Sequence, residues 1–95
     1  MSTEFQIPED ARLRYIERRK KDVESLREAV GSRSLEEFKR IGHQLKGNAA
    51  SFGYSDLEKL AIQMEAAGDQ QNIAEAARQL ELFEKWLGQV SSKST

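Results

Sequence analysis

Cysteine is absent from the chain, and histidine and proline each occur once. Without cysteine there is no disulfide, no thiolate nucleophile and no cysteine-held zinc. A single histidine rules out a multi-histidine metal centre within one chain. Long apolar runs are missing as well: no stretch approaches the roughly 20 residues that a membrane span requires. Met1 to Gln6 is polar and lacks the apolar segment of a signal peptide. Neither sign of charge is in excess. The formal net charge is −1, so nothing in the balance points to nucleic acid or to an anionic membrane. These exclusions leave a cytoplasmic protein with no membrane and no nucleic-acid partner as the expectation.

What is present suits amphipathic helices. Apolar residues make up 38% of the 95 and charged residues 33%, a mixture in which each helix has one buried stripe and a wide solvated face. The periodicity predicts an all-α chain of four helices, roughly 8–30, 34–52, 55–67 and 72–90, with no strand. Pro8 fits a first helical position, with Glu9 and Asp10 in the first turn. Leu13, Ile16, Val23, Leu26 and Val30 form the first stripe. Lys20 fills its skipped turn, with its stem along the bundle and its charge in water. Gly31 is the expected stop.

Capping-box patterns open the later helices: Ser34 with Glu37, Ser55 with Glu58, and Asn72 with Glu75. Gly53 and Gly68 are expected to close the second and third. Leu57, Leu60, Ala61 and Met64 form the third stripe. Ile73, Ala76, Leu80, Phe83, Leu87 and Val90 form the fourth. Trp86 reads as a packed aromatic. Short connections predict an antiparallel, up-down-up-down four-helix bundle. The whole of 1–95 reads as one domain, fraying at 1–6 and 91–95. Met1 and a complete bundle favour a gene product that stands alone, and a monomer is expected.

The second helix carries the chemistry. At about 100° per residue, Ile41, Leu45, Ala49 and Phe52 fall within about 60° of Phe38, which defines the buried side. His43 falls about 160° from their mean and faces outward. Lys39, Lys46, Gly47 and Ala50 surround it, with Glu36 and Arg40 on adjoining turns. Gly47 costs about 1 kcal/mol relative to alanine inside a helix. An exposed position gains nothing structural from that loss, but it gains open access to the imidazole. Gly42 either permits close helix packing or is tolerated. Lys46, one turn from His43, is placed to pair with an anion beyond the ring. Lys39 and Arg40 add positive charge, which favours the neutral, nucleophilic ring and would hold phosphoryl oxygens.

No triad partners accompany the histidine, and no glycine-rich loop offers a nucleotide site. The chain is therefore not expected to bind ATP or to phosphorylate itself. A phosphoryl group on His43 would come from another protein and leave to another.

The run His43-x-Leu45-Lys46-Gly47-x-Ala49-x-x-Phe52-Gly53 resembles the signature of histidine-containing phosphotransfer (HPt) domains of bacterial multi-step phosphorelays. The likeness extends to Ile16–Leu26 before it and Leu57–Ala67 after it. It implies a four-helix bundle in which His43 exchanges a phosphoryl group with a receiver-domain aspartate through its outer ring nitrogen. It implies that Lys46 stabilises the phosphoryl oxygens and that Gly47 lets the receiver dock, with Lys39, Arg40 and Ala50 around it. Glu65 matches a residue that lies near the histidine and orients it; a boundary carboxylate in a salt bridge is the other reading. Asn48 departs from the serine or alanine common at its place.

The resemblance further implies no cofactor and no metal in this chain, Mg²⁺ belonging to the partner. That partner is a response-regulator receiver domain, a hybrid histidine kinase, or both. The chain would be a stoichiometric carrier, not an enzyme. The alternative is a binding-only module that docks on a receiver or kinase without taking phosphate. A kinase dimerisation segment fits poorly, because the acidic and proline residues that usually follow its histidine are absent. The basic run Arg18-Arg19-Lys20-Lys21, flanked by Glu17, Asp22 and Glu24, reads as a solvated face that would steer an acidic partner.

Overall fold

The computed structural model describes residues 7–93. They form four α-helices: α1 Glu9–Ser32, α2 Glu36–Asn48, α3 Ser55–Asp69 and α4 Ile73–Lys93. A short 3-10 turn, Ala50–Phe52, joins α2 to α3. Among the described residues there is no strand, and no helix is long and apolar enough to cross a membrane. The expected fraying of 1–6 and 94–95 lies outside the described residues. Residues 91–93, expected to fray, continue α4.

Several boundaries differ from the sequence reading, and burial explains most of them. Pro8 is the N-cap and not the first helical residue. α1 runs through Gly31 and stops at Arg33, whose φ of 60° is left-handed. Arg33 and Ser34 donate their N–H groups to Val30 and Ala29, closing the helix end. Ser34 is occupied there and does not cap α2. That place falls to Leu35, which is buried and forms no side-chain cap. At α3 the N-cap is Tyr54, again without a side-chain bond, and Ser55 is already helical. Of the three capping patterns only the last gives a cap, and only its first half: Asn72 Oδ1 accepts the Glu75 N–H at 3.1 Å, while the Asn72 N–H goes to the Ala67 carbonyl.

α2 ends four residues earlier than expected, at Asn48, with Ala49 as its C-cap. The 3-10 turn then tightens the chain, and Gly53 at φ 86° ends it where a glycine was expected. Gly68 does not end α3. The helix continues to Asp69 and turns at Gln71, with φ 53°.

The core is built from the predicted faces of α2, α3 and α4. Phe38, Ile41, Leu45 and Ala49 meet Leu57, Ala61 and Met64, with Ala76, Leu80, Phe83 and Leu87 behind them. α1 departs from its predicted stripe. Ile16, Val23 and Leu26 are buried, but Leu13 is exposed. Lys20 is exposed too, paired with Glu17 at 3.1 Å. Tyr15, Arg19 and Ala29 point inward instead. Arg19 lies 4.3 Å over the Tyr15 ring and donates to Asp22 at 2.8 Å, so its charge is compensated where it is buried.

An aromatic corner fixes the turn after α2. Tyr15 stacks on Phe52 at 4.2 Å between centroids, and Trp86 meets Tyr54 edge-on at 5.2 Å. The Tyr15 hydroxyl donates to Asn48 Oδ1 at 2.7 Å, which gives the unexpected asparagine a structural task.

Two glycines set the distance between α2 and α3. A Cβ on Gly42 would lie 2.7 Å from the Glu65 backbone nitrogen and 2.9 Å from the Ala61 carbonyl oxygen. A Cβ on Gly68 would lie 2.8 Å from the Lys39 nitrogen and 3.0 Å from the Leu35 oxygen. Backbone cannot yield as a flexible side chain can, so alanine at either place must push the helices apart. Nothing lies within 4 Å of the corresponding point on Gly47. Gly42→Ala and Gly68→Ala are therefore expected to lose about 1–3 kcal/mol of stability in urea unfolding, as overpacked sites do. Gly47→Ala should gain about 0.5–1 kcal/mol from helix propensity. Equal losses at all three would contradict this packing.

Candidate functional site

α2 buries Phe38, Ile41 and Leu45, and the same phase turns His43 outward. Its side chain is 71% exposed. One partner reaches it from α3: Glu65 Oε2 lies 3.2 Å from His43 Nδ1. The other oxygen, Oε1, is 2.6 Å from Lys46 Nζ. A single carboxylate thus bridges the imidazole and the lysine one turn away. It can do so because Glu65 belongs to the backbone segment resting on Gly42.

The Lys46 hydrogen bond holds the Glu65 carboxyl below its ordinary 4.5, helped by His43 and opposed by partial burial. An ionised carboxylate only accepts hydrogen bonds, so Nδ1 is the donor in this contact. In the neutral ring the lone pair then sits on Nε2. Nε2 has no hydrogen bond from any described residue.

The remaining residues singled out in the sequence lie on the same face, with one change. Gly47 and Ala50 are exposed, but Ala50 belongs to the 3-10 turn and not to α2. Lys39 pairs with Asp69 at 3.5 Å. Arg40 is held by both oxygens of Glu37, one of them 3.2 Å from Nε. That guanidinium keeps the Glu37 carboxyl below its ordinary range. The uncompensated positive surround expected around His43 is therefore absent. Each of Lys39, Arg40 and Lys46 has its own carboxylate. The Glu37–Arg40 spacing of three residues is a readable helical pair, whereas the Asp69 and Glu65 pairings join different helices and leave no local signal. Among the described residues, no three His, Cys, Asp or Glu side chains are grouped to hold a metal.

A protein-family model, the Hpt domain, matches residues 11–93. The chain belongs to the Hpt domain family. Comparison with curated proteins gave no match, and comparison with solved structures gave none either. Hpt domains serve histidine phosphotransfer in phosphorelays as phosphocarriers rather than catalysts. They interact with receiver domains and histidine kinases. The matched span of this Hpt domain contains its single histidine, His43.

The Lys46–Glu65 contact in this Hpt domain has a pH signature. A carboxylate held below its ordinary value stabilises the fold above that value and loses the contribution as pH falls through the folded one. In Lys46→Met the Glu65 carboxyl, followed by carbon NMR, should titrate at higher pH than in the wild type. The stability difference between the two proteins should be present at neutral pH and vanish in acid. An unchanged Glu65 midpoint would show that the contact does not persist in solution.

Proposed function

We propose that this Hpt domain is a phosphoryl carrier in which His43 takes a phosphoryl group from a receiver-domain aspartate and returns it to one. The observation that carries this reading is the state of the ring. The single histidine is exposed, its Nδ1 is engaged by Glu65, and Nε2 is left open as the nucleophile. The open space at Gly47 supports close approach by a partner. Lys46 lies one turn away and would neutralise phosphoryl oxygens at Nε2. Ala50 and Gly47 form the flat part of the docking face, with Lys39 and Arg40 at its edge. Glu65 orients the ring.

The scaffold is an antiparallel, up-down-up-down bundle. Opposed contacts support that arrangement: Leu35 and Lys39 lie beside Gly68, and Gly42 beside Ala61 and Glu65. The carrier acts stoichiometrically as a cytoplasmic monomer and has no kinase activity of its own. It needs no cofactor, the Mg²⁺ of the reaction belonging to the partner. That partner is a response-regulator receiver, a hybrid histidine kinase, or both.

Incubation with a phosphorylated receiver should give the wild-type chain an acid-labile label. His43→Gln should take none while keeping its helical circular dichroism. Gly47→Leu, also folded, should take label at least tenfold more slowly because the added side chain obstructs the approach. Undiminished labelling of His43→Gln would end the proposal. Receiver binding by the wild type without any label would favour a docking-only module.

A further inference from the structure

Glu65 accepts from two donors in the resting protein, and a phosphoryl group at Nε2 competes for one of them. Lys46 Nζ is 2.6 Å from Oε1, while Nδ1 is 3.2 Å from Oε2. The other cations nearby are engaged elsewhere, Lys39 on Asp69 and Arg40 on Glu37. Lys46 is the cation one turn along α2 from His43, and a dianionic phosphoryl group is a stronger attractor for it than a carboxylate. When Lys46 turns to the phosphoryl oxygens, Glu65 keeps the ring N–H as its remaining partner.

We infer that this exchange makes Glu65 a positioning residue for discharge: it holds a proton on Nδ1 of phosphorylated His43 and so keeps the carrier in its transferable form. This deepens the carrier reading and rests on it. In the charging step the Nε2 lone pair attacks phosphorus. The N–P bond forms, the acyl O–P bond breaks, and its electron pair leaves on the aspartate carboxylate. No proton moves, so the ring, still bearing Nδ1–H, becomes cationic. In the discharge step an aspartate oxygen attacks phosphorus and the N–P electron pair returns to Nε2. With the proton on Nδ1 the leaving group is neutral imidazole. Without it the leaving group is an imidazolate anion, far poorer. A carboxylate on Nδ1 favours the first path and an amide favours it less, although an amide oxygen still accepts the hydrogen bond.

The charged groups around the ring are Lys39, Arg40 and Lys46 on α2 and Glu65 and Asp69 on α3, with Glu37 held on Arg40. From α1, Asp22 acts on Arg40 at longer range. Glu65 is the carboxylate in contact with the ring, and its replacement by glutamine removes that charge while leaving an oxygen that can accept from Nδ1.

The test compares wild type and Glu65→Gln, both charged chemically with phosphoramidate and followed by nitrogen NMR of the ring. Nδ1 of phosphorylated His43 should lose its proton about one pH unit lower in Glu65→Gln, the usual effect of one removed charge in contact. Discharge to an unphosphorylated receiver should then slow about tenfold at pH values above the variant's midpoint and little below it. Identical ring titrations in the two proteins would overturn the inference, and so would a rate ratio independent of pH. A wild-type chain that phosphoramidate charges but no receiver charges or discharges would instead overturn the carrier reading, with the ring titration still readable.

Discussion

The backbone contact between α2 and α3 is the constraint on which the site depends. Gly42 and Gly68 bring the two helices so close that a single added carbon at either would strike backbone. That closeness puts Glu65 within hydrogen-bond reach of a histidine which helical phase sends to the outer face. It also lets one carboxylate reach both His43 and Lys46. Glycine within a helix costs about 0.5–1 kcal/mol against alanine, and at these two places the loss is offset by packing. At Gly47 no packing offsets it, and what remains is an unobstructed approach to the ring.

The site is electrostatically quieter than its list of cations implies. Lys39, Arg40 and Lys46 are matched by Asp69, Glu37 and Glu65. Exposed pairs of this kind add little stability, typically 0–1 kcal/mol. Their consequence here is organisational: in the resting state the cations are parked on carboxylates at the edges of the face, and the ring is left open. An arriving anion must draw Lys46 from a partner that is itself hydrogen-bonded to the histidine. On the proposed carrier reading, binding of the phosphoryl group and the Nδ1 hydrogen bond of the ring are thereby linked through one side chain.

The far end of α2 is fixed by different means. Tyr15 from α1 stacks on Phe52 and donates to Asn48, and Tyr54 leans on Trp86 from α4. This corner determines where α2 gives way to the 3-10 turn, and so where Ala50 sits relative to His43. It also accounts for Asn48, which needs a polar side chain for Tyr15 and is set by the bundle and not by the chemistry.

Local periodicity was sufficient for the helix count, for the buried faces of α2, α3 and α4, and for the outward direction of His43. Each follows from the rise and rotation of a single helix, which the order of residues determines alone. The same logic misjudged α1, where Leu13 is exposed and Tyr15 and Arg19 turn inward. It also misjudged Ser34 and Ser55, because burial of Leu35 and the placement of Tyr54 prevailed over local capping. Gly68 looked like a stop and proved to be a packing surface. The Glu65 bridge, the Lys39–Asp69 pair and the meaning of Gly42 were settled only by tertiary structure. Each depends on the distance between two helices, and no spacing along one helix encodes that distance.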